Sequence, residues 1–146
     1  MLLVKNAEIY APEYLGKKDL LICGGKIECI QDSIRELPVE CEVLDAEGKI
    51  LTPGFLDQHV HITGGGGEGS FHTRTPELQM SELVENGITT VVGLLGTDGI
   101  TRSVDNLYAK TRVLCEEGVS AYMLTGAYGY PSPTLTAVSY THLRAH

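Results

Sequence analysis

The pattern of hydrophobic and polar positions along the chain changes at about residue 50. Up to that point short apolar runs alternate with polar turns, a pattern typical of small β-strands. The clearest hairpin covers residues 19–30, where two β-like runs flank Gly24–Gly25. Paired glycines accept the positive φ angles that a tight hairpin turn needs. Residues 41–50 repeat the pattern around Glu47–Gly48 and predict a second hairpin, so residues 1–50 are interpreted as part of a β-sheet domain.

From about residue 55 the chain alternates strands with amphipathic helices. Thr75 and Gly87 suit the start and the end of the first helix, and Gly118 suits the end of the second. The almost wholly apolar second strand is typical of a parallel sheet that is buried on both faces. The predicted strands cover 55–62, 88–95 and 119–126, and the predicted helices cover 75–87 and 103–117.

This order predicts a parallel α/β architecture, because each strand follows the last after a helical crossover. Three strands do not close a barrel, which needs eight strands and about 250 residues. We therefore expect an open sheet or an incomplete barrel in residues 51–136. Residues 137–146 follow a Pro-rich loop and begin no recognisable element, and we expect a non-native tail there.

Composition and charge argue against nucleic-acid-binding, membrane and secreted proteins. The 146-residue chain has a net charge of −8, which does not favour binding to nucleic acid or to an anionic membrane, because both carry negative charge. No apolar run is long enough to span a bilayer. The cysteines form no C-x-x-C pair and no secretion signal precedes them, which predicts free thiols in a cytoplasmic protein. They are Cys23, Cys29, Cys41 and Cys115.

Two histidines lie near the end of the first predicted barrel strand. His59 and His61 are two residues apart, so their side chains point to the same side of a strand and can converge on one ion, with Asp57 on that side as well. Neutral imidazole suits zinc. Two ligands are fewer than the three that a catalytic zinc usually takes, and His72 is interpreted as a solvated loop residue. The alternative is a pair of ordinary surface or core histidines.

A glycine run at residues 64–69 follows the histidine pair. It formally matches the dinucleotide-binding pattern G-x-G-x-x-G, which leaves a nucleotide-binding module as an alternative. That pattern needs a helix that opens at the glycines, whereas the helix is predicted to begin only at Thr75, and Glu68 would repel a phosphate. We favour a loop whose bare backbone approaches a small ligand, with Glu68 facing a cationic group. A flexible surface loop is the plainer alternative.

Polar residues also follow the next two strands. Thr97 and Asp98 come after the second strand, and Tyr128 comes after the third. In a parallel sheet these loops share one edge with the histidine pair. Thr97 could hold a carboxylate or an amide, and Tyr128 could donate a hydrogen bond to a developing oxyanion. Each of them alone also suits a turn or a packing position.

Several stretches resemble a known family. The segment PGFLDQHVH, which follows VLDAEGKILT, resembles the amidohydrolase superfamily. The stretches DQHVHITGGGGEG, VVGLLGTDGITR and MLTGAYGYPSPT together resemble the isoaspartyl dipeptidases of that superfamily. The resemblance covers residues 1–136. It implies an α/β fold in which the N-terminal part of a β-sandwich is followed by the first three βα units of an incomplete (β/α)8 TIM-like barrel.

The resemblance implies a binuclear zinc centre, with His59 and His61 on one of the two zinc ions. A zinc-activated hydroxide would attack the peptide carbonyl. The family's bridging lysine, two further histidines and late aspartate have no counterpart in this chain. We therefore expect that the fragment itself is inactive and that the full-length protein is a homo-oligomer.

The resemblance also implies the substrate contacts. Gly66, Gly67 and Glu68 correspond to the loop that holds the substrate, with Glu68 on the free α-amino group. Thr97 and Tyr128 correspond to further contacts, with Tyr128 beside the scissile carbonyl. The expected reaction is hydrolysis of β-aspartyl (isoaspartyl) dipeptides. Open alternatives are a dihydropyrimidinase- or deacetylase-like amidohydrolase, and a non-catalytic binding or assembly protein.

Overall fold

The computed structural model describes residues 1–35 and 37–135, and the predicted tail at 137–146 lies outside them. The described chain divides into two compact units, of which the first is Met1–Pro53 and the second begins at Gly54. Within these residues no helix combines the length and the apolar content that crossing a bilayer requires.

The first unit is a five-stranded mixed sheet. Its strands are β1 (Leu2–Tyr10), β2 (Tyr14–Cys23), β3 (Lys26–Gln31), β4 (Glu42–Asp45) and β5 (Ile50–Leu51). Strands β2 and β3 form the predicted antiparallel hairpin, and Gly24 and Gly25 take the expected positive φ angles of 57° and 76°. The sheet buries a small apolar cluster that consists of Val4, Ala7, Ile9 and Leu20.

The second predicted hairpin is wrong. Glu47–Gly48 does form a turn, but β4 and β5 both pair in parallel with β1 instead of with each other. Asn6 bulges out of β1 with a φ angle of 57°, and its side-chain amide donates to the Asp45 carboxylate at 3.0 Å. The buried carboxylate of Asp19 accepts the backbone N–H groups of Asn6 at 2.9 Å and Ile34 at 2.8 Å. These polar contacts between distant segments fix the bulge, and local spacing does not reveal them.

The second unit alternates strands and helices along a parallel sheet in the order β6-β7-β8, as the sequence predicts. Leu107 and Leu114 of its longer helix are fully buried against the sheet residue Val91, which is also inaccessible to solvent. The elements are β6 (Phe55–Val60), a 3-10 helix (Phe71–Thr73), α1 (Met80–Glu85), β7 (Ile88–Gly93), α2 (Val104–Glu116) and β8 (Ser120–Met123).

Helix α2 is capped by Ser103 at its start and ends just before the predicted Gly118. The Ser103 hydroxyl accepts the backbone N–H of Asn106 at 3.2 Å and so caps the helix. Gly118 has a φ angle of 98°, in the left-handed region that favours glycine just after a helix. This helix therefore begins and ends within a residue of its predicted bounds.

Helix α1 is shorter than predicted, because it begins at Met80 and not near Thr75. The Thr75 hydroxyl accepts the backbone N–H of Gly65 at 2.7 Å, so it serves the glycine loop and does not cap a helix. The cap is formed by Gln79 and Glu82, where the Glu82 carboxylate accepts the Gln79 backbone N–H at 2.7 Å. Residues 75–79 consequently have no regular secondary structure.

Candidate functional site

The predicted site residues follow the carboxyl ends of three parallel strands. His59 lies in β6 and His61 directly after it, Thr97 follows β7, and Tyr128 follows β8. Because the strands are parallel, the loops that leave their carboxyl ends start from the same edge of the sheet. This topology brings the segments that carry these residues to one edge of the sheet.

The two imidazoles of the pair are neighbours. The ring centroids of His59 and His61 are 5.4 Å apart and their planes meet at 81°. Strand β6 ends at Val60, so His61 stands just beyond it. His59 is exposed and His61 is half-buried, which leaves the pair accessible from solvent.

The orientation of the His61 ring is set by backbone on several sides. Its Nδ1 lies 3.2 Å from the Leu94 carbonyl oxygen. A carbonyl only accepts hydrogen bonds, so Nδ1 carries the proton and donates, and the Nε2 lone pair remains available to a metal. A Cβ atom at Gly65 would lie 3.3 Å from the ring, and one at Gly96 would lie 3.4 Å from it. Glycine at both positions thus leaves room for the imidazole.

The pair fits a metal as a partial ligand set. Neutral imidazole is a common zinc ligand, and a catalytic zinc usually has three protein ligands. Asp57 lies on the same strand, and its carboxylate accepts the backbone N–H of His59 at 3.0 Å. His72 bonds to the Ser70 hydroxyl in the exposed 3-10 helix. Across residues 1–35 and 37–135 there is no cluster of three or more side chains suited to a metal.

Glu68 and Thr97 meet although they come from different loops. The Thr97 hydroxyl donates to Glu68 Oε1 at 2.7 Å. This hydrogen bond, followed by one from the backbone of Glu68 itself, lowers the pKa of the Glu68 carboxyl, and the positive charge of Arg102 acts in the same direction. Glu68 is therefore ionised at neutral pH and suits a cationic group.

The glycine run needs glycine because its backbone packs closely against another part of the same loop. Gly66 has a φ angle of 72°, and a Cβ atom there would lie 2.2 Å from the Thr73 carbonyl oxygen. The Gly67 N–H donates to the Thr73 hydroxyl at 3.2 Å. The run leads into the short 3-10 helix and not into an α-helix, so the loop lacks the geometry of a dinucleotide-binding turn.

A polar network beneath this loop was not predicted from the sequence. The Asp98 carboxylate accepts the hydroxyl and the backbone N–H of Thr101, the latter at 2.9 Å, and lies 3.4 Å from Arg74 Nε and 3.6 Å from Arg102 Nη1. The Thr101 hydrogen bonds, with smaller contributions from the Ile100 N–H and Arg74, lower the pKa of Asp98 to about 2. An aspartate followed by a threonine three residues later is the one sequence signal, since such residues form local side-chain-to-backbone turns.

Tyr128 lines a different cavity from Glu68 and Thr97. Its side chain is 80% exposed and lines a cavity of about 430 Å³ with Leu94, Leu124 and Ser132. Glu68 and Thr97 line a separate cavity of about 280 Å³. The role of Tyr128 beside a scissile carbonyl therefore stays a prediction.

The chain is similar to known proteins in sequence and in fold. No protein-family profile matches the chain. A crystal structure of the β-aspartyl dipeptidase from Fervidobacterium islandicum AW-1, in complex with a β-Asp-Leu dipeptide, is 50% identical with a TM-score of 0.84, over 93% of this chain and 36% of that one. The L-hydantoinase (dihydropyrimidinase) of Arthrobacter aurescens is 25% identical with a TM-score of 0.55, over 77% of this chain and 24% of that one.

The relatives found by sequence include proteins named dihydroorotase and not dipeptidase. The dihydroorotase of Listeria monocytogenes serotype 4a is 35% identical over 126 residues, which cover 84% of this chain and 28% of that protein. The chain thus spans about a quarter to a third of the length of the proteins it matches. The predicted fold class, part of a β-sandwich followed by the start of a (β/α)8 barrel, is confirmed by the sheets and by these neighbours. Together the likenesses in sequence and in fold support the assignment of this chain to the amidohydrolase superfamily.

Proposed function

We propose that this chain is a segment of a metal-dependent amidohydrolase that hydrolyses β-aspartyl dipeptides, and that the segment alone is inactive. The observation that carries the proposal is the ionised Glu68 carboxylate, which Thr97 holds at 2.7 Å in a small cavity near the carboxyl ends of the strands. A 50% identical dipeptidase that binds β-Asp-Leu supports the choice of substrate.

The proposed roles follow from the chemistry of each group. His59 and His61 would hold one zinc ion through their imidazole nitrogens, and the other ligands of a two-zinc centre would come from parts of the full-length protein beyond this chain. When bound, the metal supplies an activated hydroxide and polarises the substrate carbonyl. The Leu94 carbonyl fixes the His61 ring in the tautomer that leaves Nε2 free.

On the substrate side, Glu68 would pair with the free α-amino group of the β-aspartyl residue, and Thr97 would keep the carboxylate in place. Gly66 and Gly67 would present their backbone to the same end of the dipeptide. Tyr128 would donate a hydrogen bond to the carbonyl oxygen as negative charge develops on it.

A second candidate is the opening of a cyclic amide, as the name dihydroorotase implies for a relative 35% identical to this chain. The charge on Glu68 separates the two candidates. A β-aspartyl dipeptide brings an ammonium group to this carboxylate, whereas dihydroorotate brings a carboxylate, which Glu68 would repel. The loop therefore favours the dipeptide.

The test begins with the complete reading frame, obtained by sequencing the source locus across and beyond the codon for Thr136. The full-length protein is then expressed, supplied with zinc, and assayed on β-Asp-Leu, dihydroorotate and hydantoin. We expect hydrolysis of β-Asp-Leu, and loss of that hydrolysis in Glu68→Gln but not in the control Glu85→Gln, which alters an exposed carboxylate of α1. Turnover of dihydroorotate with none of the dipeptide would contradict the proposal.

Three further properties of the full-length protein belong to the same proposal. A cytoplasmic location is tested by cell fractionation, and a homo-oligomer by light scattering on the purified protein. Inactivity of the segment is tested by assaying the purified 146-residue chain with zinc and β-Asp-Leu, where turnover would overturn it.

A further inference from the structure

Arg102 is a buried cation that joins both ends of the glycine loop. It is 5% exposed, which is unusual for arginine unless its charge is compensated. Its Nε donates to the Thr63 carbonyl oxygen at 2.9 Å, and its Nη2 donates to the Thr75 carbonyl oxygen at 3.0 Å. Because Thr63 and Thr75 bracket the glycine run, one rigid guanidinium fixes the span between the two ends of that loop.

The third nitrogen of the same guanidinium faces Asp98, four residues earlier in the loop that contains Arg102 itself. Nη1 lies 3.6 Å from Asp98 Oδ2, within ion-pair range. Asp98 is the neighbour of Thr97, the residue whose hydroxyl donates to Glu68. Arg102 therefore connects the loop that carries Glu68 with the loop that carries its hydrogen-bond donor.

The loop that carries Glu68 also lies beside an ion pair of the same network, formed by Arg74 and Asp98. Arg74 Nε lies 3.4 Å from the Asp98 carboxylate, and a Cβ atom at Gly67 would be in ordinary contact with Arg74 at 3.5 Å and Asp98 at 3.8 Å. Gly67 and Glu68 line one small cavity together with Arg74 and Asp98, so a shift of Asp98 relative to Arg102 would change the wall of the cavity beside Glu68.

We propose that Arg102 is a positioning residue that sets the Glu68 carboxylate against Thr97 and so shapes the pocket for the ammonium group of the substrate. This inference rests on the proposed function. Arg102 donates to two carbonyl groups and faces a carboxylate in three directions, which matches the planar fork of a guanidinium. A lysine carries the same charge on a single nitrogen, so it lacks the two separated donors with which Nε and Nη2 reach the Thr63 and Thr75 carbonyl oxygens.

The expected signature is a loss of substrate binding and not of bond cleavage. Displacement of Glu68 weakens its contact with the α-amino group in the ground state and in the transition state alike, so KM rises while kcat changes little. A substrate without an α-amino group does not use Glu68 and should not respond to the change.

The experiment compares two substrates in the full-length protein. N-succinyl-leucine has the same scissile amide as β-Asp-Leu but lacks the α-amino group. Arg102→Met is expected to raise KM for β-Asp-Leu on the order of 10- to 100-fold and to leave kcat/KM for N-succinyl-leucine at the wild-type value. Arg102→Lys should behave like Arg102→Met. The matched control is Arg112→Met, on the exposed side of α2, which should alter neither substrate.

An equal loss of kcat/KM on both substrates, or wild-type KM in Arg102→Lys, would overturn the proposal. If Arg102→Met does not fold, Arg102→Lys carries the same comparison. Amide hydrogen exchange at Gly65 and Gly67 gives a readout that is independent of activity. If the wild-type protein does not hydrolyse β-Asp-Leu, the proposed function fails. Faster exchange in Arg102→Met but not in Arg112→Met then still supports the positioning role, and unchanged exchange refutes it.

Discussion

Replacing Gly66 by alanine would separate backbone strain from steric conflict in the substrate loop. The φ angle of Gly66 is 72°, and the left-handed region costs a residue with a Cβ atom about 1–2 kcal/mol. The new Cβ would also lie 2.2 Å from the Thr73 carbonyl oxygen, whereas ordinary contacts begin at 3.4 Å. One of the two segments must therefore move by more than about 1 Å, a displacement that can cost roughly 100-fold in catalysis.

Gly25 offers a control with the same strain and no conflict. Its φ angle is 76°, and an added Cβ would meet no atom within 4 Å. We expect Gly25→Ala to lower the free energy of unfolding by about 1–2 kcal/mol and to leave kcat/KM for β-Asp-Leu unchanged. Gly66→Ala should lower kcat/KM in the full-length protein by about 100-fold. The reasoning would be refuted if Gly66→Ala kept kcat/KM within about threefold of wild type, because the loop would then tolerate the displacement.

Three further predictions concern the core and the charged groups. Leu107→Ala removes a fully buried side chain and should lower the free energy of unfolding by about 2–5 kcal/mol, whereas Tyr108→Ala, at a half-exposed position of the same helix, should cost far less in a urea titration. The pKa of Asp98 falls from 3.8 to about 2 on folding, so its carboxylate stabilises the fold above pH 4 and loses that effect as the pH falls towards 2; the difference in stability between wild type and Asp98→Asn should shrink over that range. Thr97→Val should raise the pKa of Glu68 and Thr97→Ser should preserve it, as ¹³C NMR of the carboxyl would show, and an unchanged pKa in Thr97→Val would mean that the hydroxyl does not act on Glu68.

The order of elements could be predicted because each signal is local. The apolar run at 88–95 predicts the central strand of the parallel sheet, and Gly87 and Gly118 mark the ends of the helices with positive φ angles. The pairing of β4 and β5 with β1 was missed, since it depends on Asn6 bulging out of a strand to meet side chains far along the chain. Local sequence patterns predict turns well, but they predict poorly which strands pair with each other.

The candidate site, too, could be predicted only in part from the sequence. Glu68 and Thr97 could be singled out because polar residues after parallel strands converge at one edge, and the structure brings the two together. Arg102 was missed because two of its partners are backbone carbonyl oxygens 39 and 27 residues away. Carbonyl groups are present at every position, so an arginine that binds them leaves no pattern in the sequence.

The pairing of β1 also bears on how the first unit folds. Strands β1, β2 and β3 meet consecutive neighbours through short connections, so their antiparallel ladders close small loops and can form early. Strand β4 meets the same β1 about forty residues later, with Glu42 opposite Leu2, and closing that larger loop costs more chain entropy. During synthesis the three-stranded meander would exist before the other side of β1 is covered. The bulge at Asn6 would then interrupt the exposed ladder of β1, and such interruptions hinder pairing with strands of other molecules.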